Sequence, residues 1–360
     1  MSSPGVTESQ DAEQPARAAG PEQPHESTRR TGGGDLSTRA LSLLQTGVGR
    51  NAGLVVALLL LCVVGAFTAG DRFASTDNAL TILRLAATIG VVSIGMTFVI
   101  TGGGIDLSVG AILALSSVWC TTLATQVIAE DTHWIVMAGV ALLVGIGCGL
   151  VNGVLISYGR VVPFIATLAM LASARGLAEI ISLRRTQIVT VPGFRDFFTA
   201  RLLGVEVQVW LFALVAVIGW VVLNRTTFGR RTIAVGGNPE AARLAGINVR
   251  RHTVLLYVLV GVCCAIAALM LVARTTTGSS THGTLYELDA IAAVVIGGTL
   301  LSGGRGTIVG TVFGVLIFTT LTNVFTLNNR SISEQSLLKG AIIVVAVLLQ
   351  QRLANRKSSE

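Results

Sequence analysis

Long apolar runs recur along this chain, and they limit what it can fold into more than any other feature. They fall at about 53–70, 79–100, 108–128, 134–157, 161–183, 207–223, 253–273, 287–302, 307–327 and 335–351. Most are roughly 17 to 24 residues long, the length a helix needs to cross the hydrocarbon core of a bilayer. Of 360 residues, 52% are apolar and only 12% charged, so a soluble domain could not cover the apolar surface. The chain is therefore expected to be an all-α polytopic membrane protein with about ten transmembrane helices. The run at 287–302 is short and glycine-rich, as a partial or broken helix would be.

Charge sets the expected orientation. The interval 224–251 carries six arginines against one acid, Glu240, and so should face the cytoplasm. Ten crossings from a cytoplasmic N-terminus put that loop inside, together with Arg160 and the basic tail from Arg352 to Lys357, so both termini are cytoplasmic. Residues 184–207 hold Arg184, Arg185, Arg195 and Arg201 yet fall outside; long external loops obey the bias loosely. The same bias accounts for the net charge of +7 without a nucleic-acid partner.

Residues 1–50 are rich in Ser, Gly, Pro, Glu and Gln and are expected to be a disordered cytoplasmic tail. No charged segment followed by an apolar core opens the chain, so a cleaved signal peptide is not expected. Residues 51–352 form the expected transmembrane domain, with 353–360 as a cytoplasmic tail. The cysteines (Cys62, Cys120, Cys148, Cys263, Cys264) all fall in apolar runs and read as small buried hydrophobes.

Within the basic loop lies a short-helix signature. Asn238 is placed to cap, Pro239 takes the first helical position, Glu240 favours the positive dipole end, and Gly246 supplies a left-handed terminator. With Arg243 these residues define a candidate docking element for a cytoplasmic partner. A second segment, Thr101 to Gly110, breaks the helix with Gly102, Gly103 and Gly104 before Asp106 and Ser108. Irregular backbone at membrane depth must be buried or line a wet cavity, so these residues are candidates for the translocation path or its gate. Asp106 would equally serve as a helix cap. A third, Tyr286 to Gly306, begins with Glu287 and Asp289 near the expected outer surface, as contacts for an external partner, a gate, or caps. Arg175 and Glu179 are spaced for an intrahelical pair. Ile105-Asp106-Leu107 and Leu288-Asp289-Ala290 open the third and eighth runs, an echo compatible with an inverted five-plus-five repeat.

Neither a phosphate-binding loop nor a zinc motif is present. Gly303-Gly304-Arg305-Gly306-Thr307 lacks the required lysine, and His25, His133, His252 and His282 are scattered. No catalytic residue, metal ligand or cofactor site is expected.

Four segments together resemble the ribose-type permease family of bacterial ABC importers. They are G-G-G-I-D-L-S-V-G-A at 102–111, P-F-I-A-T-L at 163–168, F-G-R-R-T-I-A-V-G-G-N-P-E-A-A-R-L-A-G-I at 228–247, and Y-E-L-D-A-I-A-A-V-V-I-G-G-T at 286–299 continuing into S-G-G-R-G. The resemblance covers roughly residues 75 to 350. It implies a permease of the inner membrane that dimerises, as homodimer or heterodimer, and receives solute from an extracytoplasmic sugar-binding protein. It also implies a separate tandem-cassette ATPase that uses Mg-ATP and docks on the helix after Asn238. The chain departs from the family at Leu300 and at His282-Gly283-Thr284-Leu285, which bears on the solute: a monosaccharide such as ribose or xylose, a nucleoside, a polyol, or the branched-chain amino acids of related permeases. The competing mechanism, an ion-coupled secondary transporter, would need buried acids in several runs, and beyond Glu179 and Asp106 there are almost none. A non-transporting scaffold or channel leaves the capped helix and the broken glycine segments unexplained.

Overall fold

The computed structural model describes residues 47–342 and residue 344, with side chains from Asn51 onward. The expected tails at 1–46 and 353–360, and the last run beyond residue 344, lie outside the described residues. Helices come in the order α1 Gly47–Ala69, α2 Thr76–Thr101, α3 Val109–Cys120, α4 Leu123–Asp131, α5 Ile135–Ser157, α6 Pro163–Ser182 and α7 Phe194–Thr199. There follow α8 Val207–Arg225, α9 Thr227–Gly237, α10 Pro239–Leu244, α11 Val249–Thr275, α12 Tyr286–Ile296 and α13 Ile308–Leu327. A last helix, α14, starts at residue 332. Among the described residues strand is confined to two pairs of two-residue strands, Gln187–Ile188 with Thr277–Gly278 and Arg201–Leu202 with Val205–Glu206.

Among the described residues seven helices are long and apolar enough to cross a membrane, and α3 with α4, bent by 56°, makes an eighth. Eight of the ten expected crossings are thus accounted for by α1 to α13, and the short, glycine-rich run expected to be partial or broken is so. The run at 287–302 is helical only over the eleven residues of α12, about 16 Å, too short to cross alone. The tenth begins as α14.

Polar residues at the turns set where helices begin. Ser75, Thr226, Asn248 and Thr307 each accept a backbone N–H of the first turn of α2, α9, α11 and α13. Burial then sorts the helices. Protein covers 72% of the apolar window of α2 and 67% of that of α11, against 11% for the first span and 22% for α6 and α8. The first two form the core; the bare apolar flanks of the others suit lipid.

Close approach in this core depends on small residues. Gly145, Gly149 and Gly153 recur every four residues along α5, and a Cβ on them would strike the backbone of Gly261, Tyr257 and Val254 of α11. Gly149→Val should therefore force the two helices apart. The expected cost is roughly 1–3 kcal/mol, read as a lower thermal midpoint of the detergent-purified protein, whereas Gly147→Val, at a position with open space around it, should change little.

Contacts between distant segments sort the loops into two ends. Thr121 and Gln126 bond Gln187 and Ile188, Arg84 pairs with Glu206 at 3.1 Å, and Asn78 exchanges hydrogen bonds with Asn323. All of these join positions expected outside. At the opposite end Thr101, Gly236 and Gly304 meet, all expected inside. The arginine-bearing segment 184–207 belongs to the first group, opposite the 224–251 loop, as the alternating crossings require.

Candidate functional site

At the inner end the short helix α10 forms as its sequence dictates. Asn238 Oδ1 accepts the N–H groups of Glu240 and Ala241, each at 3.0 Å, and Pro239 takes the first position, where a missing N–H costs nothing. Gly246 closes the helix at φ +82°, and its N–H donates to the Arg243 carbonyl. Glu240 and Arg243 pair at 2.8 Å, yet their side chains are 74% and 69% exposed, so the pair adds little stability. Leu244, at the end of the helix, is 83% exposed. Sequence patterns did not single it out, because one leucine in a polar loop carries no periodic signal.

Helix α9 ties this element to the core. Phe228 packs on Phe98 of α2, with ring centroids 6.3 Å apart, and on His252 of α11 at 4.6 Å. Thr232 Oγ1 and His252 Nε2 share a hydrogen bond of 2.9 Å. The C-terminal glycines of α9 then touch both glycine-rich breaks. Gly304 donates its N–H to the Thr101 carbonyl at 2.9 Å. A Cβ on Gly236 would hit that same carbonyl, and one on Gly303 would lie 2.7 Å from the Gly236 oxygen and 2.9 Å from Gly103 Cα. Gly303 and Gly304 both have positive φ, +83° and +73°. Gly102, Gly103 and Gly104 thus sit at the inner end, against the 224–251 loop.

From there the chain enters the protein. Asp106 and Ser108 are fully buried. Asp106 Oδ1 accepts from the Ser108 N–H at 2.8 Å and from Ser108 Oγ at 2.5 Å, while Asn152 Nδ2 of α5 donates to Ser108 Oγ at 3.0 Å. Asp106 therefore shapes the turn before α3 and does not cap its first turn, contrary to the simple capping expectation. Asn152 was invisible in sequence as a lone amide in an apolar run. Asn152→Leu removes a donor from this buried cluster and should cost about 1–3 kcal/mol, read as a lowered thermal midpoint; Asn152→Asp should cost at least as much by placing a second carboxyl there.

Helices α3 and α12 are both short and preceded by irregular backbone. Gly283 packs on Gly110 in the first turn of α3, so the two helices start at the same place. Helix α3 runs from there to the outer group of contacts, and α12 runs the other way, with Gly297 against Gly310 at the start of α13. Ten residues of α3, about 15 Å, separate Gly110 from Cys120. Tyr286, Glu287 and Asp289 are consequently set deeper than the outer surface where sequence placed them. Opposed half-helices are the geometry an inverted repeat creates at the centre of a transporter.

The expected Arg175–Glu179 pair does not form. Arg175 Nη1 donates to the carbonyls of Ser280 and His282, the latter at 2.9 Å, while Glu179 pairs with Arg184 at 2.9 Å. Unsatisfied carbonyls in the irregular segment before α12 outbid a carboxylate that can reach solvent. Asp289 finds a partner no local pattern indicated: Lys339 Nζ of α14 lies 3.1 Å from both of its oxygens.

A polytopic helical bundle with two opposed broken crossings, and an exposed capped helix beside them, has the architecture of a membrane permease. Comparison with known proteins agrees: the chain belongs to the branched-chain amino acid transport system / permease component family, whose model matches residues 78–347. It is 43% identical to the ribose import permease protein of Bacillus subtilis over 319 residues, 88% of this chain and 98% of that one. It is 37% identical to the ribose import permease protein of Escherichia coli over 305 residues, 83% and 92% of the two chains. The L-arabinose ABC transporter permease protein of Azospirillum brasilense is 36% identical over 308 residues, 85% and 89%. No solved structure matches the chain. The protein is thus a multi-pass permease of the bacterial cell membrane.

Proposed function

We propose that this chain is the membrane-spanning subunit of a binding-protein-dependent, ATP-driven importer that carries a monosaccharide such as ribose into the cell. The observation that carries this reading is the docking helix α10, capped, exposed and linked through the Gly103–Gly236–Gly304 junction to both broken crossings. Such a lever has work to do only if something outside the membrane pushes on it. Relatives named for ribose and arabinose import support a sugar as cargo.

In this reading a tandem-cassette ATPase binds and hydrolyses Mg-ATP, and this chain is not itself an enzyme and binds no cofactor. Asn238, Pro239, Glu240, Arg243, Leu244 and Gly246 form or shape its seat. Gly102, Gly103, Gly104, Asp106 and Ser108 belong to the inner gate, and Tyr286, Glu287 and Asp289 to the gate above it, reached after an extracytoplasmic sugar-binding protein delivers solute. A second copy of the chain completes the path. The irregular segment before α12 leaves Thr281 and Thr284 exposed, and at membrane depth such backbone must be covered by protein or face water.

Co-expression with the cognate ATPase and binding protein tests the assignment. The permease should copurify with the ATPase, and hydrolysis in proteoliposomes should rise when ribose-loaded binding protein is added. Stimulation by a loaded nucleoside, polyol or branched-chain amino acid receptor instead would reassign the cargo. A permease that binds no ATPase would refute the reading.

A further inference from the structure

Lys339 of α14 and Asp289 in the first turn of α12 form an ion pair across the bundle. Its side chains are only 22% and 12% exposed, and Lys339 Nζ also lies 5.0 Å from the centre of the Phe318 ring of α13. A lysine and an aspartate inside a membrane bundle are costly, and an apolar pair of similar size would pack there at no such cost.

Helix α12 is held very differently at its two ends. Its C-terminal half lies on α13 with backbone touching backbone: a Cβ on Gly314 would strike the Ala293 carbonyl, and one on Gly310 the Gly297 carbonyl. Its first turn faces α3 instead, where a Cβ on Gly110 would meet the Gly283 carbonyl and Glu287 Oε2. No side chain caps it, and the residue in the capping position, Leu285, stands at φ +65°, a conformation a branched side chain adopts only under strain. On the side away from α3 that turn is tied by the charge pair to α14.

We propose that Lys339 is a positioning residue for transport: through Asp289 it holds the first turn of α12 in place, and release of the pair lets that turn swing about the fixed C-terminal half. This rests on the ATP-driven import reading and adds to it the element that moves. An ion pair suits a releasable tie, because in the open state each charge can be met by the water of an opened path, whereas packed glycine backbones have no second partner.

The test uses the complete transporter, permease with ATPase and binding protein, in proteoliposomes. The variants are Lys339→Met, Asp289→Asn, the double variant, and Lys339→Arg; uptake, hydrolysis and thermal midpoint are measured for each. Either single variant should raise hydrolysis in the absence of loaded binding protein on the order of tenfold, with uptake per ATP falling by a similar factor. Lys339→Arg, which keeps the charge, should retain coupling. The double variant decides between positioning and mere stability. It leaves no orphan charge, so its thermal midpoint should recover toward wild type, yet it should stay uncoupled. A double variant that couples like wild type would overturn the proposal, as would single variants whose uptake and hydrolysis fall only in proportion to folded protein. Absence of ATP-driven uptake by the wild-type complex would instead count against the import reading itself.

Discussion

Leu244→Asp is expected to abolish ATP-driven uptake while the protein still inserts at its normal level. Leu244 is 83% exposed and contributes almost nothing to the fold, so its loss should not alter the thermal midpoint. In the assembled transporter it would be buried in the ATPase, and burying a leucine is worth about 1.5–3 kcal/mol. An aspartate there forfeits that gain and also demands a partner in an apolar seat. Assembly should weaken at least tenfold to a hundredfold, read as lost copurification of the ATPase. Leu244→Met should bind nearly as well. Failure of the cap gives a milder version: Asn238→Ala removes two hydrogen bonds at about 1 kcal/mol and should lower coupling without preventing assembly.

Gly236→Val should break a later step. The added side chain would collide with the Thr101 carbonyl and, at 2.6 Å from its Cβ, with the Gly304 nitrogen. Both are backbone, so neither can turn aside, and α9 must lift off the two glycine breaks. The ATPase should still bind α10 and hydrolyse ATP, because that helix is capped by its own residues. Uptake should fall by more than tenfold as the push no longer reaches α3 and α12. Gly246→Ala provides the contrast. It strains φ +82° in open space, so it should loosen α10 without disturbing the junction.

Legibility in the sequence followed the range of the interaction. The crossings were legible because apolar length is a local property, and so was α10, whose cap, first-turn proline and terminating glycine lie within nine residues. The shortness of the 287–302 crossing showed in its glycines. Partnerships across the bundle did not show. The spacing rule that joined Arg175 to Glu179 sees four residues ahead, while the carbonyl that Arg175 reaches at Ser280 lies 105 residues on. Lys339 and Asp289 are 50 residues apart on different helices. The glycine junction joins three separate segments, each of which alone reads as a flexible break. Asp106 illustrates the middle ground: its residue type and position marked it, but only the fold shows that it bonds Ser108 and shares that hydroxyl with Asn152.

Labelled ribose uptake into proteoliposomes tests the central claim most directly, comparing this chain alone under an imposed proton or sodium gradient with the chain joined to its ATPase, binding protein and internal or external ATP as orientation requires. Uptake is predicted only in the complete system, and only with hydrolysable ATP. Gradient-driven uptake by the chain alone would contradict the account.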